Sequence, residues 1–160
     1  MTNKTMNQFY VDLLEEIQMS ADEDLSGWSI EDFLTSIMLD YLEEVGEVED
    51  YVICPFRGYG LQLNAYSLTA DYEKLTIYVS IYTDNNKPKF IGQTDIDVAI
   101  KRAIQLYQKA VNDLYISFQK DNDVYEFAIS LHSHKNEIKM VRICALTNGL
   151  VKPIDFKNIN

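Results

Sequence analysis

The sequence predicts an α/β fold, a mixed central sheet with flanking helices in the order αα-βββ-αα-β. Leu75, Ile77, Val79 and Ile81 alternate with Thr76, Tyr78, Ser80 and Tyr82, the spacing of a strand with one face in a core. Around that strand, apolar residues recur at three- and four-residue spacing over 5–19, 29–45 and 94–118, as on helices buried along one stripe. No repeat and no Pro/Gly/Ser-rich linker divides the 160 residues, a length that suits one domain. An apolar content of 47% excludes a disordered tail. No apolar run approaches the roughly 18 residues that a membrane span needs.

The first helix is expected over 5–19, with Met6, Phe9, Tyr10, Leu13, Leu14 and Ile17 on its apolar side, followed by a polar loop over 20–27. Ser29, with Asp32 three positions on, has the pattern of a capping box. It opens a second helix whose stripe is Phe33, Leu34, Ile37, Met38, Tyr41, Leu42 and Val45, and Gly46 ends it. Residues 51–54 form a short strand that Pro55 should stop, and a turn at 57–60 leads into a second strand over 61–68. After a polar turn near Ala70 and Asp71 comes the third strand, 74–83, and the short connections make the three an antiparallel meander. Residues 84–88 break the pattern. Thr94, with Asp97, should cap the longest helix, to about 118, buried through Ala99, Ile100, Ala103, Ile104, Tyr107, Ala110, Val111 and Leu114. A shorter helix over 123–131 precedes a fourth strand at 138–146, which a crossover permits to run parallel to the third.

Charge is unevenly spread. Residues 1–56 hold 14 acids and a single base, Lys4, whereas residues 57–160 hold 11 acids and 13 bases. The acidic part is either a solvated face or a surface for a basic partner, and a polyanion would have to approach the second part. The polar amino terminus lacks a signal-peptide stretch. Cys54 and Cys144 lie in apolar runs, which favours buried free thiols and a reducing cytoplasm.

The element order is that of the restriction-endonuclease-like (PD-(D/E)xK) core, and the residues themselves resemble a narrower family. The stretch Tyr41-Leu42-Glu43-Glu44-Val45-Gly46-Glu47-Val48-Glu49-Asp50 is followed by Cys54-Pro55-Phe56-Arg57-Gly58-Tyr59-Gly60-Leu61. Then come Leu63-Asn64-Ala65-Tyr66, Leu75-Thr76-Ile77-Tyr78-Val79-Ser80 and Leu146-Thr147-Asn148-Gly149. In order and spacing, over roughly 8–150, these resemble the amino-terminal domain of abortive-infection phage-resistance proteins. The resemblance implies a part in bacterial defence against phage, a divergent nuclease-like domain, and a chain that forms the amino-terminal portion of a longer protein.

In the wider fold, a helical glutamate, a second-strand aspartate and an acid-x-lysine on the third strand hold Mg²⁺ and activate water. Here Glu43, Glu44 and Glu47 could supply the helical carboxylate, but Asn64 falls where the aspartate is expected. Thr76, Tyr78 and Ser80 fall at the acid-x-lysine positions. An amide is a weak Mg²⁺ ligand and tyrosine cannot replace an ammonium, so no complete catalytic site can be read and no cofactor is expected. The alternative is a Mg²⁺-dependent nuclease with a rearranged site, Lys101 on the long helix standing in for the missing lysine.

Asp40, Glu43, Glu44 and Glu47 crowd the negative end of the second helix dipole, where like charges four apart cost a few tenths of a kcal/mol. These acids are expected to face a basic protein surface: the remainder of a longer protein, a partner, or another copy. Arg57, Lys101, Arg102 and Lys109 are the candidates for anions, with weak, salt-sensitive nucleic-acid binding at most. Tyr66, Tyr78 and Tyr82 are expected on one sheet face near Asn64, packed under a helix in preference to stacking bases. His132 and His134 lack a third ligand at metal spacing and read as a solvated loop.

Overall fold

The computed structural model describes residues 6–23, 28–84 and 89–151. The expected helix start at residue 5, the side chain of Met6, loop residues 24–27 and residues 85–88 of the break lie outside the described residues. The elements are α1 (Met6–Glu23), α2 (Ile30–Glu44), β1 (Val52–Gly58), β2 (Leu61–Leu68), β3 (Lys74–Ile81), α3 (Gln93–Ala110), a 3-10 turn (Leu114–Ser117), α4 (Asp123–Ser133) and β4 (Met140–Thr147). The strand order is β1-β2-β3-β4; β1, β2 and β3 form the expected antiparallel meander and β4 lies parallel to β3. The mixed sheet and its element order are thus as read from the sequence.

The layers differ from expectation at β3, which is buried on both faces. Leu75, Ile77 and Val79 pack with Ala99, Ala103 and Leu106 of α3 and Phe127 of α4. On the other face Tyr78 packs with Leu39 of α2 and Leu146 of β4. Beyond it, Tyr82 meets the cluster that Leu13 and Ile17 of α1 form with Phe33 and Leu34 of α2. Helices therefore cover both sides of the sheet, with α1 and α2 opposite α3 and α4. Alternation detects one apolar face; it cannot detect that the half-polar face is buried too, because its polar members are paired.

Several boundaries move for local reasons. α1 continues past residue 19 to Glu23, with Ala21 packed, four positions on from Ile17, in the α1–α2 cluster. Pro55 does not stop β1: the register shifts between Ile53 and Phe56, and this bulge on an edge strand accommodates a residue with no N–H. Arg57 and Gly58 belong to β1, and only Tyr59 and Gly60, at φ 54 and 74, form the turn, a two-residue hairpin of the type that suits the sheet's twist. α3 is capped by Gly92 and not by Thr94, and it ends at Ala110; the 3-10 turn then keeps Leu114 buried. Its buried stripe is Ala99, Ala103, Leu106 and Ala110, so Leu106 replaces Ile104, which is exposed. Tyr41 and Val45, expected in the core stripe of α2, are exposed as well: Tyr41 lies on its last turn, and Val45 is the residue that caps it, before Gly46 at φ 77.

The end of β4 is pinned tightly. Asn148 accepts from Thr83 N–H at 2.8 Å and donates to Thr83 C=O at 2.7 Å, so its amide prolongs the β3–β4 pairing. Leu150 exchanges backbone hydrogen bonds with Lys89 and Ile91, both at 2.8 Å. A Cβ on Gly149 would lie 2.6 Å from the Ile91 side chain and 2.9 Å from the Lys89 carbonyl. Gly149→Ala is accordingly expected to cost about 1–3 kcal/mol by overpacking, lowering Tm by several degrees in a thermal melt. An unchanged melt would mean that Ile91 moves aside freely.

Candidate functional site

The first turn of α2 lies against β2 and β3 through a chain of polar side chains. Ser29 begins the helix as expected: its N–H and hydroxyl both donate to Asp32 Oδ2, at 2.9 and 2.8 Å. The same carboxylate, 3% exposed, accepts through Oδ1 from Asn64 Nδ2 at 3.1 Å. Asn64 Oδ1 in turn accepts from Ser80 N–H at 2.9 Å and Gln62 Nε2 at 3.0 Å, and Gln62 Nε2 also reaches Ser80 C=O at 3.2 Å. One turn along α2, Thr35 Oγ1 donates to Glu31 C=O at 2.7 Å and meets Ser80 Oγ at 2.5 Å. Backbone pairing of β2 with β3 runs from Ala65–Tyr78 to Leu68–Leu75. Beyond it, the amides of Asn64 and Gln62 take over the Ser80 backbone groups.

A cavity of about 320 Å³ opens beside this network, lined by Glu31, Asp32, Pro55, Arg57, Gln62 and Asn64 among others. Arg57 spans its mouth, with Nη1 3.4 Å from Glu31 Oε1 and Nη2 3.2 Å from Gln62 Oε1. The guanidinium fork is therefore already engaged by an acid and an amide.

The Mg²⁺ that a restriction-endonuclease-like core would hold does not fit these residues. Asp32 is the carboxylate that reaches Asn64, and both its oxygens accept hydrogen bonds, as does the Asn64 carbonyl oxygen. Among the described residues no three His, Cys, Asp or Glu side chains converge as a metal site. Glu43, Glu44 and Glu47 are not brought to Asn64. From Asp32 to Glu43 is eleven residues along the helix, about 16 Å at its axial rise. All three are exposed, while their neighbour Asp40 accepts a hydrogen bond from Tyr51. Burial, then Asp40 itself, raises the pKa of that phenol. Lys101 is exposed on α3, across the sheet from Asn64, and Lys109 on the same helix lines a separate cavity with Tyr59 and Phe118. Arg102 is half-buried on α3.

Tyr78 and Tyr82 share the face under α1 and α2, as expected, but Tyr66 does not. Tyr78 pairs with Ala65, so Tyr66, one residue out of phase, packs instead on Phe127 of α4, ring centroids 4.9 Å apart. His132 is in a helix and not in a loop, whereas His134 lies in the turn after α4. His132 is in the last turn of α4, with Nδ1 3.2 Å from Val111 C=O, and its ring lies against Tyr115. His134 stacks flat on Tyr72, 3.5 Å between centroids, with Nδ1 2.7 Å from Glu137. Both cysteines are free, as expected. They sit on the two edge strands, about 14 Å apart by strand spacing, far beyond disulfide reach. Burial, with a smaller contribution from Asp123, pushes the Cys54 thiol up to about 12, and Cys144 is only half-buried.

Sequence reasoning missed Asp32 as a functional candidate because its capping pattern already accounted for it. The available signal was the second free lone-pair set of a capping carboxylate next to the buried face of the same helix. Fold and site together define a mixed α/β domain with a closed polar network between the start of α2 and the β2–β3 ladder end.

Within that class, the chain belongs to the abortive infection phage resistance protein N-terminal domain family, whose model matches residues 34–160. Membership indicates a role in abortive infection phage resistance. No curated protein and no solved structure matches the chain. No helix among the described residues is long and apolar enough to cross a membrane.

Proposed function

We propose that this chain is a non-cleaving binding and scaffold module of a phage-defence protein, with a restriction-endonuclease-like core that has lost its metal chemistry. The observation that carries the reading is the Asp32–Asn64–Ser80 network: the second-strand position holds an amide whose oxygen bonds to the Ser80 N–H, and the carboxylate that reaches it, Asp32, spends both oxygens on hydrogen bonds. Metal-assisted hydrolysis needs several anionic oxygens around the ion and a positioned water. The crossover from β3 through α3 and α4 to a parallel β4 supports the fold assignment. A cytoplasmic defence protein extending beyond this domain is the natural setting, and the family's description as an N-terminal domain supports it. The rearranged nuclease is favoured by one feature alone, the buried Asp32 beside Asn64.

The test is cleavage of plasmid DNA and single-stranded RNA in Mg²⁺ or Mn²⁺. The expected result is intact substrate, with weak duplex binding that falls further in Lys101→Glu, Arg102→Glu and Lys109→Glu and fades with salt. Cleavage abolished by Asp32→Ala, Glu43→Ala or Glu44→Ala would overturn the reading.

A further inference from the structure

An apolar groove of about 240 Å³ runs between α1, α2 and the segment after β4. Tyr10 and Leu13 form its floor, Met38 and Leu42 one side, and Phe9 and Tyr41 its lips, 54% and 49% exposed. The opposite wall is the Thr147–Leu150 stretch, held by the bidentate Asn148–Thr83 pair and by the close fit of Gly149 on Ile91. A groove walled so firmly loses little freedom when filled, which is what makes a pocket an efficient anchor site.

Among the described residues, the charge that α1 and α2 place around it is of one sign. Asp12 and Glu16 follow Phe9 on α1, with Glu16 3.4 Å from the Tyr41 hydroxyl, and Asp40 and Glu44 flank Tyr41 on α2. Among the described residues of the first 56 there is no lysine or arginine. Two copies meeting through this face would set acid against acid, so a symmetric dimer is disfavoured here. The complementary occupant has large apolar side chains for the groove and lysines or arginines for its rim.

We infer that this groove docks a basic amphipathic segment of a partner protein, with an apolar anchor seated between Phe9, Tyr41 and Leu42. The inference rests on the binding-module reading and specifies its partner surface. Apolar burial would supply most of the affinity, and the acidic rim would set orientation and speed encounter.

The experiment is fluorescence anisotropy of the full chain with a fluorescein-labelled amphipathic leucine–lysine peptide. A leucine–glutamate peptide of the same pattern serves as control. Micromolar binding of the lysine peptide is expected, weakened about tenfold by Phe9→Ser or Tyr41→Ser. A similar loss at low salt is expected for Glu16→Lys combined with Glu44→Lys. Asp121→Lys, a charge change on the far side of the chain, should leave binding unchanged. Phe9 and Tyr41 are exposed, so circular dichroism should report an intact fold in both variants. Absence of binding, equal binding of the glutamate peptide, or indifference to both Phe9→Ser and Tyr41→Ser would overturn the inference. Binding that appears only after deletion of residues 152–160 would assign the groove to the chain's own terminus, and self-association blocked by Phe9→Ser would assign it to a second copy; either overturns it. Nucleic-acid cleavage would refute the non-cleaving reading without touching these peptide results, so the two failures are distinguishable.

Discussion

Asn64→Ala is expected to lower folding stability by about 3–5 kcal/mol, a large share of the roughly 5–15 kcal/mol typical of a domain. The truncation leaves the Ser80 N–H without its acceptor and removes the donor that Asp32 Oδ1 uses, both inside the fold. Each buried group left unpaired costs about 1–3 kcal/mol, and the link between α2 and the unpaired end of the β2–β3 ladder goes with them. Urea denaturation should register this as a lower midpoint. Glu44→Ala, on the exposed end of the same helix, should stay within about 0.5 kcal/mol of the parent and gain slightly from relief of repulsion by Asp40. If Asn64→Ala melts like the parent, the network does not hold the helix to the sheet.

Asn64→Asp probes the same position from the side of charge. It sets a second carboxylate where Asn64 Nδ2 now lies 3.1 Å from Asp32 Oδ1. Two like charges at that range repel by about 5 kcal/mol at an effective dielectric constant of about 20, and the hydrogen bond between them is lost as well. At neutral pH the variant should therefore be strongly destabilised. Protonating one carboxyl restores a donor, so the folded variant holds a proton that the unfolded chain releases above about pH 4. A folded state that binds the extra proton loses stability as pH rises from that value and regains it as pH falls. Melts at pH 7 and pH 4.5 should thus converge on the parent only at the lower pH. Millimolar Mn²⁺ should raise the Tm of the variant and leave the parent unmoved, since the variant offers a cation paired anionic oxygens. A pH-independent deficit with no response to Mn²⁺ would mean that water, not charge, decides the site.

The elements that periodicity specifies strongly were legible. β3 alternates strictly, and the Ser29–Asp32 pattern marks the start of α2. What eluded reading belongs to tertiary context. Pro55 ends a strand only if the ladder needs its N–H, and whether β1 is an edge depends on pairings a sequence does not display. Tyr66 and Tyr78 look alike in the chain, yet the Ala65–Tyr78 register sends them to opposite layers. Of the site, Asn64 was legible as a departure from a pattern. Asp32 was not, because a cap and a tertiary hydrogen bond use different oxygens of one carboxylate and only the first leaves a local trace. Glu43, Glu44 and Glu47 drew notice by clustering, although distance along the helix keeps them from Asn64.

The parallel pairing of β3 with β4 spans nearly sixty intervening residues. The meander can zip up from turns of a few residues, whereas β4 must await α3 and α4, so its docking is the slow, late event in folding. On the ribosome this ordering is sharper still, since β4 leaves the exit tunnel after α2, β3 and α3, the elements it packs against among the described residues. Until then the β3 edge, bearing Ile77 and Val79, has open hydrogen-bonding groups and apolar side chains, the combination that recruits strands from other nascent chains. The price of a sheet closed by its last strand is thus a window of vulnerability during synthesis, when a stalled or truncated copy would present an adhesive edge to its neighbours.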